Sequence, residues 1–136
     1  KLRANAGISL DEMIKESKEV EKMVQADKNV VFTTLSVGYN SVKEKNKALI
    51  YVKLTPKDKR EKHQEEIIQS FREKLKPFSK EMFITAAAIP NIKGAGVTVP
   101  YQIVLTSDSF EKLDIARKNL MAYLAKKKGF VDIDSN

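Results

Sequence analysis

Between Leu10 and Ile89 the apolar residues change period in a fixed order, and that order limits the folds open to the chain. Leu10, Met13, Ile14, Val20, Met23 and Val24 recur at helical spacing, behind a capping pattern of Ser9 and Glu12. "NVVFTTLSVG", Asn29 to Gly38, is β-branched and aromatic and ends on a glycine, as a strand does. "NKALIYVKLTP" then alternates, with Ala48, Ile50, Val52 and Leu54 on one face and Leu49, Tyr51 and Lys53 on the other. Asp58 and Glu61 form a second cap signal. Ile67, Ile68, Phe71 and Leu75 mark a helix that Pro77 stops, and Met82 to Ile89 is a further strand. With a short extended start at Lys1 to Asn5, the order is β-α-β-β-α-β. The expectation is an α+β, ferredoxin-like unit in which two helices cover one face of an antiparallel sheet.

The remainder repeats only half of this plan. "PNIKGAGVTVP" is a proline-bounded linker, "YQIVLT" a strand, and Ser109 to about Lys127 a helix with Phe110, Leu113, Ala116, Leu120 and Leu124 inward. "FVDID" is a closing strand. Such a partial βαβ unit buries too little to be stable alone. The expected division is 1–92 for the first unit and 93–136 for the linker and the partial one. A first residue that is lysine and a last turn signal, Ser135-Asn136, with nothing after it predict a piece of a longer chain.

Chemistry of the covalent kind finds no foothold. There is no cysteine, and the single histidine, His63, sits among charged residues with no partners for a metal. Glu65 and Glu66 are adjacent and diverge on a helix, so they cannot act as a catalytic pair. The Gly94-Ala95-Gly96 stretch leads to Pro100 and a strand, not to the helix N-terminus that a phosphate loop requires. No metal, cofactor or active site is expected. A net charge of +7 allows contact with nucleic acid or anionic lipid, but acidic residues interleave with the lysines, as on a solvated face. No stretch approaches the run of about 18 apolar residues that spans a bilayer.

Strand parity leaves one face to account for. Val31, Leu35, Val37, Ile50, Val52, Leu54, Met82, Ile84, Ala86 and Ala88 go under the helices. The opposite parity carries Phe32, Thr34, Ser36, Tyr51, Lys53, Phe83, Thr85, Ala87 and Ile89, too apolar a set for a face wetted only by solvent. A ligand, a nucleic acid or another domain is expected to cover it.

Taken in order, "AGISLDEM", "VEKMV", Val37-Gly38, "NKALIYVKLTPKDKR", Ile89-Pro90, "PYQIVLTSD" and "VDIDSN" resemble the C-terminal periplasmic porter region of resistance-nodulation-cell division (RND) efflux transporters of the acriflavine-resistance type. The resemblance runs through essentially the whole chain. It implies that residues 1–92 are a porter subdomain and that residues 93–136 begin a second, leaving it toward a docking domain. It also implies a parent embedded in the bacterial inner membrane with this segment in the periplasm. That parent is a homotrimer, driven by protons, coupled to a periplasmic adaptor and an outer-membrane channel. Amphiphilic small molecules are the implied substrates, and the relay residues lie elsewhere.

By position, the resemblance places Thr34, Ser36, Tyr39, Ser41, Tyr51, Thr85, Ala87 and Ile89 on the substrate wall. Thr34, Ser41, Thr85 and Ala87 stand where drug pumps of this type carry aromatic bulk, which shifts the expectation to smaller, more polar or anionic amphiphiles. Tyr39 and Tyr51 are then the anchors, with Lys43, Lys45 or Lys47 near the entrance. Two other readings of a basic βαββαβ chain compete. A single-stranded RNA-binding domain requires paired aromatics that "ALIYVKL" lacks, and a small regulatory ligand-binding domain requires a complete second unit.

Overall fold

Leu2–Ala4 (β1) is three residues long, yet it holds the middle of the sheet. In the computed structural model, which describes residues 1–80, 82–89, 101–131 and 133–135, the other strands are Val30–Val37 (β2), Lys47–Leu54 (β3) and Met82–Ile84 (β4). Their order is β2-β3-β1-β4, every neighbour antiparallel. Leu2 faces Ala48 on one side and Ile84 on the other, so β1 alone joins β4 to the β2–β3 hairpin.

The helices follow from their stripes and caps. Leu10–Gln25 (α1) opens where Ser9 Oγ accepts the Glu12 N–H at 3.1 Å. Gln64–Leu75 (α2) starts later than the cap signal at Asp58 and Glu61 predicts, since residues Lys57–Lys59 form a separate 3₁₀ turn. The His63 N–H donates instead to Glu66 Oε2 at 2.6 Å, so Glu66 is the capping carboxylate while remaining exposed. Met13, Val20 and Val24 of α1 and Ile67, Phe71 and Leu75 of α2 are buried with Leu2, Ala4, Ala48 and Met82 of the sheet. Leu35, Val37, Ile50, Val52 and Leu54 pack against them.

Val31 departs from its expected place under the helices. The β2–β3 register skips from Val30 opposite Leu54 to Phe32 opposite Lys53, a bulge that leaves Val31 59% exposed and lets Val30 pack inward in its stead. Beyond the bulge the expected parity holds through Val37. The final strand is also shorter than the stretch Met82 to Ile89, since its ladder ends at Ile84.

The turn from α1 to β2 is locked by polar contacts. Asp27 Oδ1 accepts the Asn29 N–H and Nδ2 at 3.1 and 2.9 Å, and Oδ2 accepts Lys74 Nζ of α2 at 2.8 Å. The Asn29 carbonyl in turn accepts the Thr55 N–H at 2.8 Å, past the end of β3. Burial pushes the Asp27 carboxyl up, but the Lys74 ammonium and the Asn29 donors outweigh it and hold it at about 2. A folded value below the ordinary one contributes stability that is fully present above about pH 4 and is lost as pH falls toward 2. Allowing for the partly exposed Lys74, the contribution is about 1–2 kcal/mol. Urea unfolding at pH 7 and pH 2.5 checks this: Asp27→Asn loses stability at pH 7 and shows a shallower acid decline than the parent chain.

The chain divides into two compact units, Lys1–Ala88 and Ile89–Asn136. Among its described residues the second contains one helix, Phe110–Ala125 (α3), capped by Ser109. Asp114 is held ionised below its usual range by Lys118 and Arg117 of the same helix. The expected strands at 101–106 and 130–134 do not form among the described residues. Of the expected inward stripe of α3, Leu113, Leu120 and Leu124 are half-buried, whereas Phe110 is 85% exposed and Ala116 is exposed. The linker between Pro90 and Pro100 lies outside the described residues.

Candidate functional site

The face of the sheet turned away from α1 and α2 carries the candidate site. Thr34 of β2 sits opposite Tyr51 of β3, and Ser36 sits opposite Leu49, on the parity opposite to that of Leu35, Val37, Ile50 and Val52. Thr34 and Ser36 are exposed, and Tyr51 is 40% exposed. Phe32 joins them by the same alternation, two residues before Thr34 on β2. Its ring centroid lies 6.2 Å from that of Tyr51 with the planes tilted by 36°, an aromatic pair with one side open.

Further along the same face, Arg3 of β1 lies between Lys47 and Phe83 in the register, its guanidinium 5.2 Å from the centre of the Phe83 ring. Strand alternation puts Phe32, Lys53 and Phe83 on this face, yet the set derived from resemblance omits them. Alternation alone had already put them on the uncovered face, whereas the resemblance selected only part of that face as substrate wall.

The tip of the β2–β3 hairpin is closed by its own polar groups. Gly38 adopts φ +64, and a β-carbon there would lie 3.4 Å from the Lys43 carbonyl oxygen. Asn40 Oδ1 accepts the Glu44 N–H at 2.9 Å, its amide reaches the Glu44 carboxylate, and Lys47 Nζ donates to that carboxylate at 2.8 Å. The Lys47 and Asn40 bonds hold the Glu44 carboxyl below its usual range. Lys47 is therefore engaged within the tip. Tyr39, 39% exposed, and Ser41, exposed, belong to this tip.

The last three expected residues lie past β4. Thr85 is half-buried and donates its N–H to the Lys1 carbonyl at 2.9 Å, and Ala87 is exposed. Ile89, 65% exposed, falls in the second compact unit. The structure thus brings Thr34, Ser36 and Tyr51 together on one face, with Tyr39 and Ser41 in the tip between the same two strands.

A family model described as the AcrB/AcrD/AcrF family matches the chain over residues 1–136. The chain belongs to the AcrB/AcrD/AcrF family. The match spans all the segments that carry the resemblance, and it supports an RND efflux transporter porter region. No curated protein and no solved structure matches the chain. The AcrB/AcrD/AcrF family is one of transporters, not of catalysts. In this member no helix among the described residues is long and apolar enough to cross a membrane, and none of those residues group as three or more metal-ligating side chains.

Proposed function

We propose that this chain is part of the substrate path of a proton-driven RND efflux pump, binding amphiphilic molecules on the open sheet face and passing them on as subdomains open and close. The match to the AcrB/AcrD/AcrF family over residues 1–136 carries this reading. An exposed sheet face with an aromatic pair supports it. The antiparallel order β2-β3-β1-β4 with both helices on one side fits a ferredoxin-like porter subdomain over 1–92, with 93–136 opening a second subdomain.

In this reading Thr34, Ser36, Tyr39, Ser41, Tyr51, Thr85, Ala87 and Ile89 contribute to the substrate wall. The helix-packed core moves as a rigid body while the cleft beside it changes volume. The pump works as a homotrimer in the inner membrane, this segment lies in the periplasm, and an adaptor and an outer-membrane channel complete the export route for drugs and other amphiphiles. An RNA-binding sheet stacks bases on its two central strands. Here the aromatic pair lies on β2, an edge strand, and β3, which does not favour that use.

Tyr51→Ala tests the reading in the intact transporter, expressed with its adaptor and channel in a host stripped of its own pumps. Losing one stacking ring weakens binding by roughly two- to tenfold, so tolerance of aromatic amphiphiles falls by a similar factor. Export unchanged for every compound tried overturns the assignment of this face.

A further inference from the structure

We infer that the end of the open face farthest from the hairpin tip selects amphiphiles with an anionic head and a flat apolar body, with Phe32 and Tyr51 taking the body and Lys53 the head. This names the substrate class of the face read above as substrate wall, and rests on that reading.

The geometry is local and complete within two strands. Phe32 lies directly across from Lys53 in the register, and its ring pairs with Tyr51, two residues along β3 on the same side. Flat apolar surface and an ammonium group are therefore neighbours. Val52 and Leu54, which flank Lys53, pack into the core, so the lysine stem points to the open side.

Charge decides which head fits. None of the four strands contains an acidic residue: their sequences are LRA, VVFTTLSV, KALIYVKL and MFI. The cations on them are Arg3, Lys47 and Lys53. Arg3 is stacked on Phe83, and Lys47 is bonded to Glu44 at 2.8 Å. Lys53 is exposed and has no carboxylate partner among the described residues. A sheet face with an unneutralised ammonium beside open aromatic rings complements a sulfonate, sulfate or carboxylate on a planar apolar skeleton. A cationic head placed beside these rings is repelled by the adjacent Lys53 ammonium.

Two fluorescent probes with one skeleton separate the head from the body: 1-anilinonaphthalene-8-sulfonate, and its uncharged parent N-phenyl-1-naphthylamine. Titration into the full chain at low salt is expected to give tighter binding of the sulfonate. Lys53→Gln weakens the sulfonate by about three- to tenfold and leaves the uncharged probe unchanged, Lys53→Arg restores the preference, and Phe32→Ala weakens both probes. All these positions are exposed, so the variants keep the core intact. Equal affinities for the two probes, or a sulfonate affinity indifferent to Lys53→Gln, overturn the inference. So does a dimer in sedimentation that Phe32→Ala dissolves and the sulfonate fails to displace, since a second copy then occupies the face. The transport test is separate. Lys53-dependent sulfonate binding with unchanged export in Tyr51→Ala supports the binding site and removes the porter reading. Altered export with no Lys53 dependence does the reverse.

Discussion

Replacing Ile67 by alanine lowers the unfolding free energy of the chain by about 2–5 kcal/mol, a large part of what a unit of this size possesses. Ile67 is 1% exposed on α2, in one cluster with Met13 and Val20 of α1, which are 0% and 1% exposed. Its side chain fills the space where the two helices and the sheet meet. Alanine there removes three carbons from a site walled by large side chains, and only partial collapse can follow. Equilibrium urea unfolding gives the test: the midpoint falls while the slope stays constant. Ile115→Ala on α3 serves as the control, since Ile115 is 60% exposed, and it stays within about 0.5 kcal/mol of the parent. Comparable losses at the two positions contradict the packing described for α2.

The second large effect arises near the first residue, on β1. Leu2→Asp puts a carboxylate into a site that is 3% exposed, between Ala48 and Ile84. Burying an unpaired charge costs several kcal/mol, and the location makes the damage specific. β4 reaches the sheet only through β1, so loss of β1 releases β4 and leaves the β2–β3 hairpin with its own ladder. Amide hydrogen exchange should show protection lost at Met82 to Ile84 while the hairpin amides keep more of theirs. Leu10→Asp, at a residue 49% exposed, leaves both patterns in place. Uniform loss of protection across all four strands runs against this view of the sheet.

Much of the first unit was legible because its signals are local and periodic. The Ser9 cap, the stripe of α1 and the alternation of β3 each sit within a few residues, and the structure follows them except at Leu10 and Met23, stripe positions that are exposed. What the sequence did not disclose has physical causes. The bulge at Val31 is a matter of pairing between two strands, and "VVF" reads equally well in either phase. The cap signal at Asp58 and Glu61 falls on the separate 3₁₀ turn, and the Glu66 carboxylate closing on the His63 N–H sets the start of α2 instead. The apolar run after Ile84 has strand composition, but strand formation requires a ladder partner, and β1 ends within reach of Thr85. The same need accounts for the second unit, where "YQIVLT" has the propensity of a strand and finds no pairing among the described residues. At the candidate site, alternation located the open face, whereas the aromatic pair and the unneutralised Lys53 became visible only with the cross-strand register.

The bulge at Val31 also bears on how such a face can change over generations. A strand in strict register ties every side chain to one side, so a residue gained or lost shifts all that follow from core to surface. The skipped residue here absorbs such a change. Thr33, Leu35 and Val37 keep their places under the helices whatever happens at Val31, because Val30 and Phe32 resume pairing on either side of it. Insertions and deletions at this point therefore leave both the hydrophobic interior and the residues of the open face in phase.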